Sequence, residues 1–125
     1  DYSVRQKRIA SDYMFDEARI PISRDSNLKK ATELLEGILK SEDEPYLARV
    51  RELFRDGYPE FLEEALSGPR VLIHVEPQCI WIKGKFVAPV RQRNQLKSRI
   101  LAQFLRQAKA TPEVRLPSAA PRPAQ

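Results

Sequence analysis

The stretch VLIHVEPQCIWIKGKFVAPV, Val71 to Val90, constrains the fold more than any other part of the chain. Two runs rich in β-branched and aromatic residues flank Pro77 and Gln78, the pattern of two strands joined by a tight turn. With a two-residue loop, Glu76 faces Cys79, Val75 faces Ile80, His74 faces Trp81 and Ile73 faces Ile82. In that register Val71, Ile73 and Val75 share a face with Ile80, Ile82 and Phe86, and a slip of one residue would destroy the match. Pro-Gln is a poor sequence for the favoured primed turns, so a longer loop is the alternative. The opposite face collects Leu72, His74 and Glu76 from one strand and Cys79, Trp81, Lys83, Lys85 and Val87 from the next. A bare face bearing Leu72, Trp81 and Val87 is expected to meet another subunit or domain.

Upstream, MFDEARIPI (Met14 to Ile22) puts Ala18, Ile20 and Ile22 on one side and Glu17 and Arg19 on the other, as a half-buried strand does. The period then changes. Leu28, Ala31, Leu34, Leu35, Ile38 and Leu39 form a helical stripe, with Asp25 or Ser26 placed to cap its first turn. Leu47, Val50, Leu53 and Phe54 repeat the spacing, Gly57 interrupts it, and PEFLEEAL resumes with Pro59 suited to a helix start. A broken helical insertion is therefore expected over about residues 41–68. After Val90, the stripe Leu96, Ile100, Leu101, Phe104, Leu105 and Ala108 marks the clearest helix. Glu113 to Leu116 is expected to form a short last strand, and residues 117–125 a flexible tail rich in proline and alanine. The order over residues 14–116 is βαββαβ, an α+β sandwich with two helices on one face of an antiparallel sheet.

A chain of 125 residues fits one domain with its own core. No run approaches the roughly 20 apolar residues that cross a bilayer. The opening DYSVRQKRIAS begins at Asp1 and lacks the apolar centre of a signal peptide, so the chain reads as an excised piece of something longer. The single cysteine, Cys79, makes no internal disulfide and points to a reducing compartment. With 22 basic and 17 acidic residues the net charge is +5, which favours an anionic partner without compelling one. Its distribution is lopsided: acids dominate from Glu42 to Glu64, whereas Arg91 to Lys109 carries bases and no acid.

Chemistry-bearing patterns are sparse. His74, Glu76, Cys79 and Trp81 project from one face, but a carboxylate beside the thiol raises its pKa and no oxyanion site accompanies it, so no enzyme is expected. His74 and Cys79 are the only soft ligands, and no glycine cluster opens a helix, so neither a metal nor a cofactor is expected. KGKFV approaches the third-strand motif of single-strand RNA modules, but it is one residue short. That shift moves Phe86 to the core side, where it cannot stack on a base, and argues against nucleic acid. A ligand-sensing regulatory domain is a third class, since sheets of this order bind ligands between subunits in unrelated proteins.

APVRQRNQLKSRILAQFLRQ carries a strand end into a basic amphipathic helix, and here the chain resembles a known family. Val87, Pro89, Val90, Arg91, Arg93, Leu96, Lys97, Ser98, Ile100 and Leu101 are similar to the Val-Pro-Val-Arg-like junction and Leu-Lys-Ser-x-Ile-Leu helix in the C-terminal cytoplasmic domain of MscS-type small-conductance mechanosensitive channels. DEARIPISRDSNLKKATELL (Asp16 to Leu35) and PRVLIHVEP (Pro69 to Pro77) are similar to that domain's first strand and helix and its second strand. The resemblance implies a non-catalytic, ferredoxin-like domain in the cytoplasmic portion of a bacterial inner-membrane protein, with membrane spans upstream. It also implies a cage of seven copies that filters ions and solutes on their way to the pore. Residues 1–13 would be a linker or exit strand from a preceding β domain. The candidate subunit interface is Leu72, Trp81, Val87, Val114 and Leu116. Arg91, Arg93, Lys97 and Arg99 are the candidate ring of vestibule charge.

Overall fold

The computed structural model describes residues 8–9, 12–54 and 67–118. The resumed helix expected at 59–66, most of the N-terminal linker and the tail from 119 onward lie outside the described residues. The elements are β1 (Arg8–Ile9), β2 (Tyr13–Ile22), α1 (Leu28–Phe54), β3 (Val71–Val75), β4 (Ile80–Pro89), a 3-10 turn at Val90–Gln92 and α2 (Arg93–Lys109). All strand pairs are antiparallel, in the order β1-β2-β4-β3. The β3–β4 register is the one the alternation demands, with Val75 opposite Ile80, His74 opposite Trp81 and Ile73 opposite Ile82. Pro77 and Gln78 make the two-residue loop, closed by Glu76 N donating to Cys79 O at 2.9 Å. Arg24 Nη1 donates to Glu76 O at 3.1 Å and fastens that turn to the β2–α1 loop.

One core fills the space between the helices and the sheet. Ala18, Ile20 and Ile22 of β2 and Ile82 and Phe86 of β4 meet Leu35 and Leu39 of α1 and Leu96, Ile100 and Phe104 of α2. At Gly84, opposite Ala18 and Val71, α1 packs tightly on the sheet. A Cβ there would sit 2.7 Å from Leu39 Cδ1 and 3.1 Å from Leu35 Cδ2. Because both leucines are themselves fully buried, Gly84→Ala is expected to cost about 1–3 kcal/mol as an overpacked core. The check is its urea midpoint beside that of Gly37→Ala, whose added Cβ meets nothing within 4 Å.

Four features differ from expectation. First, α1 does not stop near Ser41. It continues through Pro45 as one helix of 27 residues, about 40 Å at the α-helical rise and longer than any strand here. The lost Pro45 N–H is offset by what the extra turns bury: Val50, Leu47 and Tyr46 pack on Val87, Tyr13 and Phe15, which belong to the sheet's second face by strand alternation. Second, Asn27 caps α1, its Oδ1 accepting from Lys30 N at 3.1 Å. Asp25 accepts from the Ser23 hydroxyl instead, and Ser26 Oγ accepts from Arg115 N at 3.0 Å.

Third, Glu113–Leu116 forms no strand, so the last β of the βαββαβ order is missing. The segment begins in a turn, with Val114 N donating to Thr111 O at 3.1 Å, and bonds to a loop: Ser23 N donates to Arg115 O and Asn27 N to Glu113 O, both at 2.7 Å. Both acceptors serve residues just beyond the end of β2, and Pro112 and Pro117 bracket the segment without N–H groups for a ladder. Fourth, the second face is not bare: Trp81 and Val87 are buried, Val87 beneath the last turns of α1.

Candidate interaction surfaces

The five candidate interface residues do not form one surface. Trp81 is only 8% exposed, Val87 lies beneath the last turns of α1, and Val114 is part of the main core. These three are satisfied within a single chain and cannot be the oily face left for a neighbour. Leu72 and Leu116 are exposed.

The candidate ring of charge is largely paired. Arg93 and Lys97, one turn apart on α2, both reach Asp16 Oδ2 on β2, at 3.6 Å and 3.1 Å. Arg99 Nη2 lies 3.0 Å from Glu42 Oε2 on α1, and Gln103 donates to the same carboxylate. These contacts tie α2 to its neighbours and leave one net positive charge from the Asp16 group. Arg91, in the exposed 3-10 turn, has no partner among the described residues. Asp16 was detectable in sequence, because it interrupts the core-facing row Met14, Ala18, Ile20 and Ile22 with an acid.

Ahead of the first residue of β3, an ion pair with a buried carboxylate takes the strand's place beside β4. Asp43 Oδ2 accepts from Val87 N at 3.0 Å and from Arg70 Nη2. Arg70 Nη2 also donates to Lys85 O at 2.9 Å. A side chain of α1 thus supplies the acceptor that a longer β3 would have offered. Burial pushes the Asp43 carboxyl above the ordinary range, against the opposing pull of Arg70 and the Val87 N–H. No sequence signal distinguished Asp43 from the acids around it.

The His74, Glu76 and Cys79 side chains do not come together as a set around the thiol. His74 Nε2 pairs with Glu76 Oε1 at 3.3 Å, and Cys79 is buried. Burial first, and the Glu76 charge second, raise the thiol pKa, which keeps sulfur in its unreactive form. Phe86 is fully buried on the core side. Phe15 lies on the second face under the Lys85 ammonium, 5.5 Å from the ring centroid. Among the described residues no group of three His, Cys, Asp or Glu side chains is placed to hold a metal, and no helix is long and apolar enough to cross a membrane.

Among the described residues, one open groove of about 430 Å³ lies between Asp25, Asn27, Glu113 and Arg115, and a second of about 430 Å³ runs along α1 beside Ile73 of β3. The second adjoins the sheet's open edge. There Leu72 is 54%, Ile73 44% and Val75 56% exposed, although Ile73 and Val75 have core-side parity. The reason is position: α1 lies over β4 at Gly84, and β3 is one strand further out. No family model matches the chain, and no curated protein matches it.

Proposed function

We propose that this chain is a non-catalytic cytoplasmic vestibule domain of an MscS-type mechanosensitive channel, assembled from copies of itself below a membrane pore. The observation that carries this reading is the Pro89 junction. The resembling residues Val87 to Leu101 form the end of β4, a 3-10 turn and the first half of α2, and Val90 N donates to Asp12 O at 2.9 Å. The start of β2 and the strand-to-helix turn are therefore held together, so force or displacement entering near residue 12 reaches α2 through this hydrogen bond and the Tyr13–Pro89 strand pair.

The three long strands lie in the order first, third, second, as in a βαββαβ sandwich, which supports the finer ferredoxin-like description. Ions are the transported species in this reading, and Arg91 with the unbalanced cation at Asp16 supplies positive potential at the solvent path. The RNA alternative loses its stacking platform with Phe86 buried.

The test is the full-length gene product reconstituted in a planar bilayer and stretched. A tension-gated conductance is expected. A reading frame with no run of about 20 apolar residues upstream of Asp1, or a full-length product that stays silent under tension, ends this reading.

A further inference from the structure

The outer edge of β3 carries a self-complementary pattern. Glu76 N bonds Cys79 O and Lys85 N bonds Arg70 O, so in the observed register the even-numbered residues of this segment point their backbone groups at β4. Val71, Ile73 and Val75 therefore direct N–H and C=O away from the sheet, and no described residue bonds to them there. Edge strands are normally blunted by lysine, proline, a bulge or a covering segment. VLIHV has no lysine, no proline and an unbroken ladder, and the side chains of Leu72, Ile73 and Val75 stand exposed while Val71 is buried.

We propose that β3 pairs antiparallel with β3 of a second copy of this chain, about a two-fold axis at Ile73. In this register Ile73 faces Ile73 of the second copy and Val71 faces Val75, and each opposed pair exchanges both of its backbone hydrogen bonds. The apolar side chains meet like partners on the helix side, while Leu72 stands opposite His74 of the second copy on the other. Charge is complementary across the same axis. The groove beside Ile73 is lined in chain order by Lys29, Thr32, Glu33 and Glu36 of α1. The two-fold axis runs the helices antiparallel, setting Lys29 of one copy toward Glu33 and Glu36 of the other. With α1 over β4, the helices are separated by about three strand spacings, roughly 14 Å, which a lysine and a glutamate span together. The contact is isologous and joins two copies only. It does not rest on the channel reading, and in a seven-membered ring it links one assembly to another.

The test needs no ligand: light scattering on the 125-residue chain over a concentration series, with variants at the edge. A dimer is expected for the native chain, and Ile73→Pro, which removes an outward N–H that β4 does not use together with the side chain on the axis, is expected to weaken it about tenfold or more. Ile73→Cys places two thiols across the axis with Cα atoms about 5.5 Å apart, suited to a disulfide. Mild oxidation should link Ile73→Cys into dimers and leave Leu72→Cys unlinked. A native monomer at every concentration, a dimer that Ile73→Pro leaves intact, or equal linking of the two cysteine variants overturns the proposal. So does slow hydrogen exchange of the Val71, Ile73 and Val75 amides in a monomer, because another segment would then cover the edge.

Discussion

Phe86→Ala is expected to lower the unfolding free energy by about 3–5 kcal/mol, the range for deleting a buried aromatic ring. The ring is fully buried, on the β4 face that meets both helices. Its loss removes contacts to the core and opens a cavity that neighbouring leucines and isoleucines cannot fully close. Against the roughly 5–15 kcal/mol that holds a typical domain together, this one substitution takes a large share. Urea unfolding followed by the fluorescence of Trp81, the one tryptophan, gives the number directly. The midpoint should fall while the slope stays the same. Phe15→Ala, on the second face and half-buried, is the comparison, with an expected loss of about 1–2 kcal/mol. A loss below about 1 kcal/mol for Phe86 would mean a ring outside the core, reopening the reading in which it stacks on a base.

The hairpin was legible because two local constraints coincide there. Side chains alternate with a period of two, and a two-residue loop allows one register that keeps the apolar rows aligned. The same alternation placed Ala18, Ile20 and Ile22 on the buried side of β2. What alternation does not encode is which strand a helix covers. Ile73 and Val75 have the parity of core residues, yet α1 sits one strand away, over Gly84, where the absence of a Cβ lets it approach.

The second face was misjudged for a related reason. The spacing of Leu47, Val50, Leu53 and Phe54 marks a helical stretch, but not that it continues the first helix or which face of the sheet it meets. The burial of Val50, Leu47 and Tyr46 against Val87, Tyr13 and Phe15 is a tertiary gain that no window of sequence displays. The vestibule charges show the same limit. Arg93, Lys97 and Arg99 read as a solvent-facing basic stripe along the helix, but their carboxylate partners, Asp16 and Glu42, come from elements far away in the chain. Of the four candidates, only Arg91 kept the exposed, unpaired setting that a charge filter requires among the described residues.

Asp43→Ala is expected to cost about 2–4 kcal/mol at neutral pH. Breaking a buried ion pair by deleting one partner commonly costs about 3–5 kcal/mol, and partial exposure of Arg70 trims that figure. The deletion leaves the Val87 N–H without an acceptor and Arg70 without its carboxylate, on the side of β4 that β3 does not reach. Asp43→Asn, which keeps an acceptor for Val87, should lose less. The pH dependence separates burial from pairing. Burial is the larger influence and raises the native Asp43 pKa above its ordinary value of 3.8. The folded protein therefore holds a proton that the unfolded chain has released, and stability falls with rising pH across that window. The contribution is complete below the ordinary value and is lost as pH climbs through the native one. Unfolding free energies of the native chain and Asp43→Ala, measured from acid to neutral pH, should therefore differ most at the acid end. A gap that widens toward neutrality would mean that Arg70 outweighs burial and that the pair is a net stabilising salt bridge; the expected narrowing means that Asp43 is kept for the Val87 N–H it satisfies.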